Sequence, residues 1–379
     1  MLEKKISERF LEYFVELEDP RRYYGNKKHD LRDILVLTIL AVIGGAEGWV
    51  DVEDFGIEKE EWLKGFLKLE NGIPSHDTIG KVFSMLEPEN FERCFLKWVK
   101  SIIKVSGREI IAIDGKTLRR SHSEITPAIH MISAWASRSG LILGQLKTED
   151  KSNEITAIPE LLGMIDVGGS IVTIDAAGCQ KNIARQIVEQ EGDYVLALKA
   201  NQRFLHEEVS LYLDDSIKEK FKGIRHDSYE TVEKGHGRIE TRKYWITDEI
   251  EWLQEKELWE GLRAIGCVES RRKNVKSGEV TTERRYYITT LSQDAICFAD
   301  AVRRHWTIEN SLHWCLDVTF NEDQCRVRKD HAAENFAIIR RIALNLIKLE
   351  KSKGSISGKR KRAGWNNNYL PSILAAADF

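Results

Sequence analysis

Three acidic residues stand in surroundings that make them candidates for shared chemistry. Asp114 ends the apolar run EIIAID, Asp175 follows the apolar run SIVTI, and Glu309 lies within RRHWTIENSLHWCLD. Short runs of β-branched and apolar residues predict buried strands, and open sheets with parallel strands place their ligand crevices at the carboxyl ends of those strands. We therefore expect Asp114 and Asp175 to meet at one edge of a sheet, with Glu309 reaching them from a helix.

Three converging carboxylates point to a metal site. Such groups repel one another, and they stay ionised when a hard divalent cation lies between them. Oxygen-only ligation with open positions suits Mg²⁺ or Mn²⁺, and two such ions can activate water and stabilise the leaving oxygen of a phosphodiester. The alternative is that each aspartate simply forms a turn, because Gly115 and Gly178 lie close by.

The segment around Glu309 predicts one continuous helix. His305, Glu309 and His313 are each four residues apart, so an α-helix would present them on one face. On the next stripe, Trp306 would hold the helix in place or stack on a base, and Trp314 would pack in the core.

The charge distribution leaves DNA open as a partner. The chain has 57 Lys and Arg against 60 Asp and Glu, a net charge of -3, and its first hundred residues are rich in acids. Basic pairs recur later, and each by itself is more simply a solvated surface. Close to Glu309, however, we expect Arg303, Arg304 and His305 to face nucleic-acid phosphates.

Several other classes of protein are disfavoured. The six cysteines form no C-x-x-C pair, and a zinc site from His305, His313, Cys315 and Cys325 matches no common spacing. The longest apolar run, at 34–43, is half of what a membrane span needs, and no export signal precedes it. We expect a cytoplasmic protein with reduced cysteines and no membrane contact.

The pattern of elements divides the chain into five parts. An α-helical region comes first, then alternating strands and helices typical of a mixed sheet flanked by helices, then short strands, then long helices, then a basic tail with the run KRKR. The expected bounds are 1–103, 104–215, 216–292, 293–350 and 351–379. In the first part, the helix that Ser75 would cap is either a DNA-reading helix or a cap on the next domain.

Longer stretches carry a resemblance to a known family. AIDGKTLR, TIDAAGCQKNIA, LKANQ and HWTIENSLHWCLDVTFNEDQCR, in that order, resemble the DDE-type insertion-sequence transposases. The branch that is most similar includes the bacterial H-repeat-associated proteins. HDLRDILVLTILAVIGGAEGWVDVEDFG and NGIPSHDTIGKVF resemble the domain that precedes the catalytic core in that branch, so the resemblance covers nearly the whole chain.

The resemblance implies an α/β fold: a ribonuclease-H-like core with a β-rich insertion, behind an all-α N-terminal domain. Asp114, Asp175 and Glu309 fall on the family's catalytic acids, which bind two Mg²⁺ or Mn²⁺ ions. Lys199 and Asn201 resemble a patch that faces DNA.

The chain departs from the family beside its glutamate. Related transposases often carry Tyr, Arg and Lys at fixed offsets, where this chain has Val302, His305 and Leu316. Basic contacts must then come from other residues, and the candidates are Arg119, Arg303, Arg304 and Arg326.

The implied function is a bacterial transposase that cuts and rejoins DNA at the ends of its own element. Its partners would be double-stranded DNA with terminal inverted repeats, target DNA, and further copies of itself in the complex, which would lie at the nucleoid. Two alternatives stay open: a catalytically silent DNA-binding relic, and a non-transposing nuclease of the same fold.

Overall fold

The computed structural model describes residues 9–21, 27–103, 108–122, 127–148, 154–235 and 237–376. The N-terminal part is helical, as its apolar periodicity predicts. Its helices are α1 (Leu31–Gly44), α2 (Trp49–Glu58), α3 (Glu60–Leu63), α4 (His76–Met85) and α5 (Pro88–Ile102). Ser75 caps α4, since its hydroxyl accepts a hydrogen bond from the Thr78 amide at 3.4 Å.

Helix α1 is strongly apolar, and nearly all of its residues are buried. Among the described helices, none is long and apolar enough to cross a membrane alone. By length and composition α1 and α2 could do so only as a pair bent by 93°.

A nine-stranded sheet forms the centre of the molecule. Its strands are β1 (Ile110–Thr117), β2 (His130–Ala136), β3 (Leu141–Thr148), β4 (Ile171–Ile174), β5 (Asp193–Leu198), β6 (Asp227–Gly235), β7 (Arg238–Thr247), β8 (Ala264–Asn274) and β9 (Val280–Thr289). Their order across the sheet is β3-β2-β1-β4-β5-β9-β8-β7-β6.

Strands β1, β4 and β5 run parallel, and β2 runs antiparallel between β1 and β3 in a meander. The parallel strands are buried, which explains their near-continuous apolar sequences. Helix α6 (Glu154–Met164) connects β3 to β4, and α7 (Lys181–Glu189) connects β4 to β5. This mixed sheet with flanking helices confirms the expected ribonuclease-H-like fold class.

The strands of the expected β-rich insertion continue the core sheet. After α8 (Arg203–Lys218), strand β9 pairs with β5, from Val195↔Thr289 to Leu198↔Tyr286. The four later strands therefore extend the core sheet. The sequence pattern could not show this, because pairing between distant strands leaves no local signal.

The last third of the chain returns to helices. They are α9 (Ala295–His305), a π-helix (Ile308–His313), α10 (Trp314–Val318), α11 (Ala332–Leu349), α12 (Ile356–Trp365) and α13 (Leu370–Ala375). The expected basic tail is thus largely helical and packed. Arg360, within its KRKR run, is buried, and its Nη2 donates to the Val42 carbonyl at 2.8 Å at the end of α1.

A buried group of ions joins strand β1 to the C-terminal helices. The Glu322 carboxylate is buried in a short 3₁₀ turn (Glu322–Gln324). It lies 2.9 Å from Arg341 Nη1, 3.2 Å from Lys116 Nζ and 3.9 Å from Arg340 Nη1. Burial by itself would raise the pKa of Glu322, but Arg341, Lys116 and Arg340 lower it to about 2. One carboxylate therefore connects β1, the turn and α11.

Replacing Glu322 by alanine should destabilise the fold strongly. It leaves three buried cations short of their shared anion, and breaking a buried pair in this way costs about 3 to 5 kcal/mol. We expect a decrease of that size in the free energy of urea unfolding near neutral pH, and less than about 0.5 kcal/mol for Glu58→Ala, an exposed acid at the end of α2.

The pH dependence checks the cause of this destabilisation. The folded-state pKa of Glu322 is depressed, so its stabilisation is present above the unfolded pKa of about 4.3 and disappears as the pH falls toward 2. The difference in the free energy of unfolding between wild type and Glu322→Ala should therefore become smaller in acid. A difference that is small near neutral pH would contradict the role assigned to Glu322.

Candidate active site

The two aspartates lie side by side at the centre of the sheet. The parallel register pairs Ile113 of β1 with Ile174 of β4, and Asp114 and Asp175 are the next residue on each strand. Asp175 ends its strand as predicted, and its Oδ1 accepts from the Ala177 amide at 3.0 Å, so it also forms the expected turn.

Asp114 is not at a strand end. Strand β1 continues to Thr117, because its other edge keeps pairing with β2, where Asp114 faces Ser133. Its side chain is 21% exposed. The prediction of a terminal position was therefore wrong, although the position beside Asp175 is the one that the argument required.

The residue after Asp114 must be small. A Cβ atom on Gly115 would collide with the His130 ring and the Glu154 carboxylate. His130 is buried, with its Nε2 2.7 Å from Glu154 Oε1 and its Nδ1 2.9 Å from Thr117 Oγ1. This polar group supports β1 from the face opposite Lys116, since Gly115 and Lys116 are successive strand residues.

Glu309 lies on an exposed part of a π-helix. The predicted continuous α-helix is thus interrupted, and the four-residue spacing does not keep His305, Glu309 and His313 equivalent. His305 contacts Thr173 Oγ1 through Nδ1 at 3.1 Å, while His313 Nδ1 lies 3.7 Å from Asp114 Oδ2. Trp314, expected in the core, is 59% exposed.

One cavity of about 200 Å³ brings the three acids together. Asp114, Asp175 and Glu309 line it, and charged and aromatic groups are among the other lining residues. These groups are His305, Trp306, Lys199, Arg285 and Tyr287. The three acids that the sequence singled out therefore line the same cavity.

The charges in this cavity are not balanced. Burial and, to a smaller extent, the carboxylates of Asp175, Glu309 and Glu154 together raise the pKa of Asp114 to about 7. Burial also lowers the pKa of His313, to about 4, and that of His305. Both imidazoles are therefore neutral near pH 7, and the negative charge must be met by other cations.

The structure places the predicted DNA-contacting residues in different surroundings. Lys199 is exposed and lines the carboxylate cavity. The Asn201 amide instead donates to the Ala176 carbonyl at 2.7 Å, next to Asp175. Trp306 lines the cavity beneath the Arg285 guanidinium, 4.7 Å from the ring centre.

Four predicted arginines do not line the carboxylate cavity. Arg304 pairs with Asp300 at 2.7 Å, one turn back on its own helix, and Arg303 pairs with Glu233 at 2.8 Å. Arg119 Nε lies 3.2 Å from Asp323. Arg326 lines a separate cavity near Trp49 of α2.

A second cavity of about 640 Å³ adjoins the first, and we name it the arginine groove. It lies between α9 and strands β6 to β9, and it shares Arg285, Tyr287, Val302 and Trp306 with the carboxylate cavity. Its lining has six cations and two carboxylates. They are Lys234, Arg238, Arg242, Arg272, Arg285 and Arg303 against Glu233 and Glu240.

Arg285 is the residue that sequence reasoning passed over. Its signal was present as one member of the pair Arg284-Arg285, but nothing in the sequence distinguished it from its neighbour. Arg284 faces away, toward Asp214 at 2.8 Å and Glu269 at 2.7 Å. Successive residues of a strand point to opposite faces of the sheet, so Arg284 and Arg285 lie on different faces. The position of α9 determines which of these faces carries the site.

The described residues contain no group of three or more His, Cys, Asp or Glu side chains arranged to hold a metal ion. The three acids therefore share a cavity without forming a ready-made ligand cage. The same finding covers the zinc alternative, whose four residues are all described. One of them, Cys325, directs its sulfur to the Glu47 carbonyl at 3.8 Å.

Comparisons with known proteins agree on one family. A model described as "Transposase DDE domain" matches residues 105–346, and one described as "DDE_Tnp_1-associated" matches residues 11–99. The "H repeat-associated putative transposase YhhI" of Escherichia coli K12 is 45% identical over 363 residues, which cover 92% of this chain and 93% of the relative. The "Putative transposase YncI" of E. coli O157:H7 is 44% identical over 97% of this chain and 94% of its own.

Two further likenesses are more limited. The "Inactive transposase YbfQ" of E. coli K12 is 61% identical over 56 residues, 15% of this chain and 67% of that protein. Among solved structures, a piggyBac transposase synaptic complex with hairpin DNA is 9% identical, with a TM-score of 0.41 over 97% of this chain and 77% of its own. That score is too low to support an argument.

Replacing Asp114 by asparagine should stabilise the protein at neutral and alkaline pH but not in acid. The folded-state pKa of this acid is raised, so the cost of ionising it grows as the pH rises from about 4 to about 7 and then stays constant. We expect the free energy of urea unfolding of Asp114→Asn to exceed that of the wild type by about 4 kcal/mol near pH 8 in EDTA, and by little near pH 4. Asp54→Asn, at an exposed acid on α2, should leave the free energy of unfolding unchanged at both pH values. No gain near pH 8 would mean that the Asp114 carboxylate is not crowded.

Proposed function

Because the chain belongs to the DDE transposase family, we propose that it cuts DNA at the ends of an insertion sequence and joins those ends to target DNA. The observation that carries the proposal is the cavity in which Asp114, Asp175 and Glu309 meet beside Lys199 and Arg285. A carboxylate cluster next to cations is suited to a phosphodiester, which needs both metal ligands and contacts for its phosphate oxygens.

The donor set fits the divalent metal ions that transposases of this family generally use. The three acids offer oxygen ligands only, which suits Mg²⁺ or Mn²⁺. The raised pKa of Asp114, from burial and from the other carboxylates, indicates that cationic charge is missing among them. Two bound ions would supply an activated water and a stabilised leaving oxygen.

Other features of the chain would position the three acids and bind the phosphate oxygens. Asp114 and Asp175 are held by adjacent strands, so their spacing is set by the sheet. Glu309 comes from an exposed π-helical turn, which can adjust toward them. Lys199 and Arg285, at the rim of the same cavity, would hold the phosphate oxygens on either side of the reacting bond.

The arginine groove provides a path for the DNA that leads into the site. Its cations pair with its own acids, as Arg303 does with Glu233 at 2.8 Å and Arg272 with Glu240 at 2.9 Å. Phosphates can replace these partly exposed acids, because such pairs contribute little in water. The favourable charge is therefore local, and it does not require a basic chain overall.

The proposed partners are double-stranded DNA with terminal inverted repeats, a target DNA, and a second copy of the chain in the DNA complex. Short inverted repeats flanking the coding region would supply the substrate ends for nicking and joining assays.

Removing any one of the three acids should abolish cleavage while the fold and DNA binding persist. Asp114→Asn, Asp175→Asn and Glu309→Gln each delete a ligand charge without changing shape. The measurement is Mg²⁺-dependent nicking of a plasmid that carries paired element ends, with DNA binding followed by gel shift. Wild-type cleavage by Asp175→Asn would exclude Asp175 as a ligand.

The same assay separates the alternatives. Wild-type protein that binds the ends without nicking them in Mg²⁺ or Mn²⁺ would be a silent relic. Nicking without strand joining on paired ends would identify a nuclease of the same fold. Joined products are the result that the proposal expects.

Arg285→Ala should weaken binding to all DNA sequences and flatten its salt dependence. Removing one cation from a phosphate lowers the slope of log affinity against log salt by about 0.9. Arg304→Ala is the matched control, since Arg304 pairs with Asp300 and lines neither cavity. Its slope should stay at the wild-type value. If both variants flattened the slope alike, the path through the arginine groove would be wrong.

A further inference from the structure

The segment that carries Glu309 is tied to strand β1 at its C-terminal end. Lys116, two residues after Asp114 on the same face of β1, has a side chain only 7% exposed. Its Nζ lies 2.6 Å from Asp317 Oδ1, 3.0 Å from Asp323 Oδ1 and 3.2 Å from Glu322 Oε2. Of these three acids, only Asp317 belongs to the helical run that contains Glu309.

The N-terminal end of the same segment is tied to strand β2. Trp135 Nε1 donates to Thr307 Oγ1 at 3.0 Å, and the Thr307 hydroxyl donates to the Arg304 carbonyl at 2.7 Å. Between the two ties lies the π-helix with Glu309. A π-helical turn is rare and adaptable, so the position of its side chains depends on how its ends are held.

We propose that Lys116 is a positioning residue that, by holding Asp317, sets where Glu309 stands relative to Asp114. Since β1 carries both Asp114 and Lys116, one strand then determines the distance between two of the three acids. The inference rests on the proposed function for its consequence in catalysis. The structural tie itself can be tested without it.

The pair between Lys116 and Asp317 contributes more to geometry than to stability. The Asp317 side chain is 32% exposed although its Oδ1 is buried, and an uncharged asparagine in its place leaves no buried carboxylate without a cation. Glu322, in contrast, is fully buried and keeps Arg341 at 2.9 Å even without Lys116. Lys116 is therefore a poor residue to replace, because its removal would leave three carboxylates short of a cation, whereas Asp317 can be changed in a folded protein.

Asp317→Asn and Asp323→Asn form a matched pair for the test. Each removes one carboxylate from Lys116, at 2.6 and 3.0 Å. Asp323 lies in the 3₁₀ turn beyond the Glu309 segment and also pairs with Arg119 at 3.2 Å. A purely structural role would therefore make Asp323→Asn at least as harmful as Asp317→Asn.

The experiment uses the full chain with three readouts. They are the single-turnover nicking rate on pre-bound element ends, the Mg²⁺ concentration for half-maximal rate, and amide hydrogen exchange of residues 308–318 without DNA or metal. Asp317→Asn should lower the rate by about tenfold or more, since misplacing a catalytic group by about 1 Å can cost a hundredfold. It should also raise the Mg²⁺ requirement and speed the exchange, with DNA affinity unchanged.

The controls fix the interpretation. Asp323→Asn should keep the rate within about threefold of wild type and leave exchange at 308–318 unchanged, while Asp317→Glu, which retains the carboxylate, should restore most of the rate. Equal effects of Asp317→Asn and Asp323→Asn would overturn the proposal. Absence of nicking by the wild type would defeat the proposed function instead, and exchange at 308–318 would then decide the role of Lys116 alone: unchanged exchange in Asp317→Asn would overturn it.

Discussion

The buried contact between Glu322 and the cations of Lys116 and Arg341 is the constraint on which the site depends. A carboxylate removed from water needs partners on several sides, and these come from strand β1 and from helix α11. Satisfying one charge therefore brings distant parts of the chain together. The helices after Glu309 cannot shift far from β1 without separating these ions, so the third acid stays close to the first two.

Close to these ions, on the same face of β1, the charges are not balanced. Asp114, Asp175 and Glu309 line one cavity near two neutral histidines, and burial together with the repulsion between the carboxylates raises the pKa of Asp114. The free-energy cost of this repulsion is confined to a small region that the surrounding sheet makes rigid. Around Glu322, in contrast, the buried carboxylate is paired with cations. The unbalanced acids around Asp114 therefore lie beside the balanced ions around Glu322, because Asp114 and Lys116 are two residues apart on β1.

The continuity of the sheet links this cluster to the proposed path for DNA. Because β9 pairs with β5, the inserted strands bring Arg285 to the rim of the carboxylate cavity and form one wall of the arginine groove, with α9 as the other. A chain with a net charge of -3 can in this way present a local cationic surface. Helix α12 contributes elsewhere, since its buried Arg360 donates to a carbonyl at the end of α1 and so joins the N-terminal helices to the rest of the molecule.

The sequence was enough to predict the mixed sheet and the helical N-terminal part and to single out three acids that line one cavity, because strand and helix periodicity and the runs that end in Asp114 and Asp175 are local signals. It did not determine which arginine faces the site: Arg304 is adjacent to the acid-bearing segment but pairs with Asp300, while Arg285 lies 24 residues before Glu309. It also missed the π-helix and the exposure of Trp314. These features depend on the tertiary structure. The pairing of β9 with β5 and the contacts of Trp135 and Lys116 join residues that are far apart in the chain. Such contacts determine which face of a helix or strand meets the site, and they leave no local signal in the sequence.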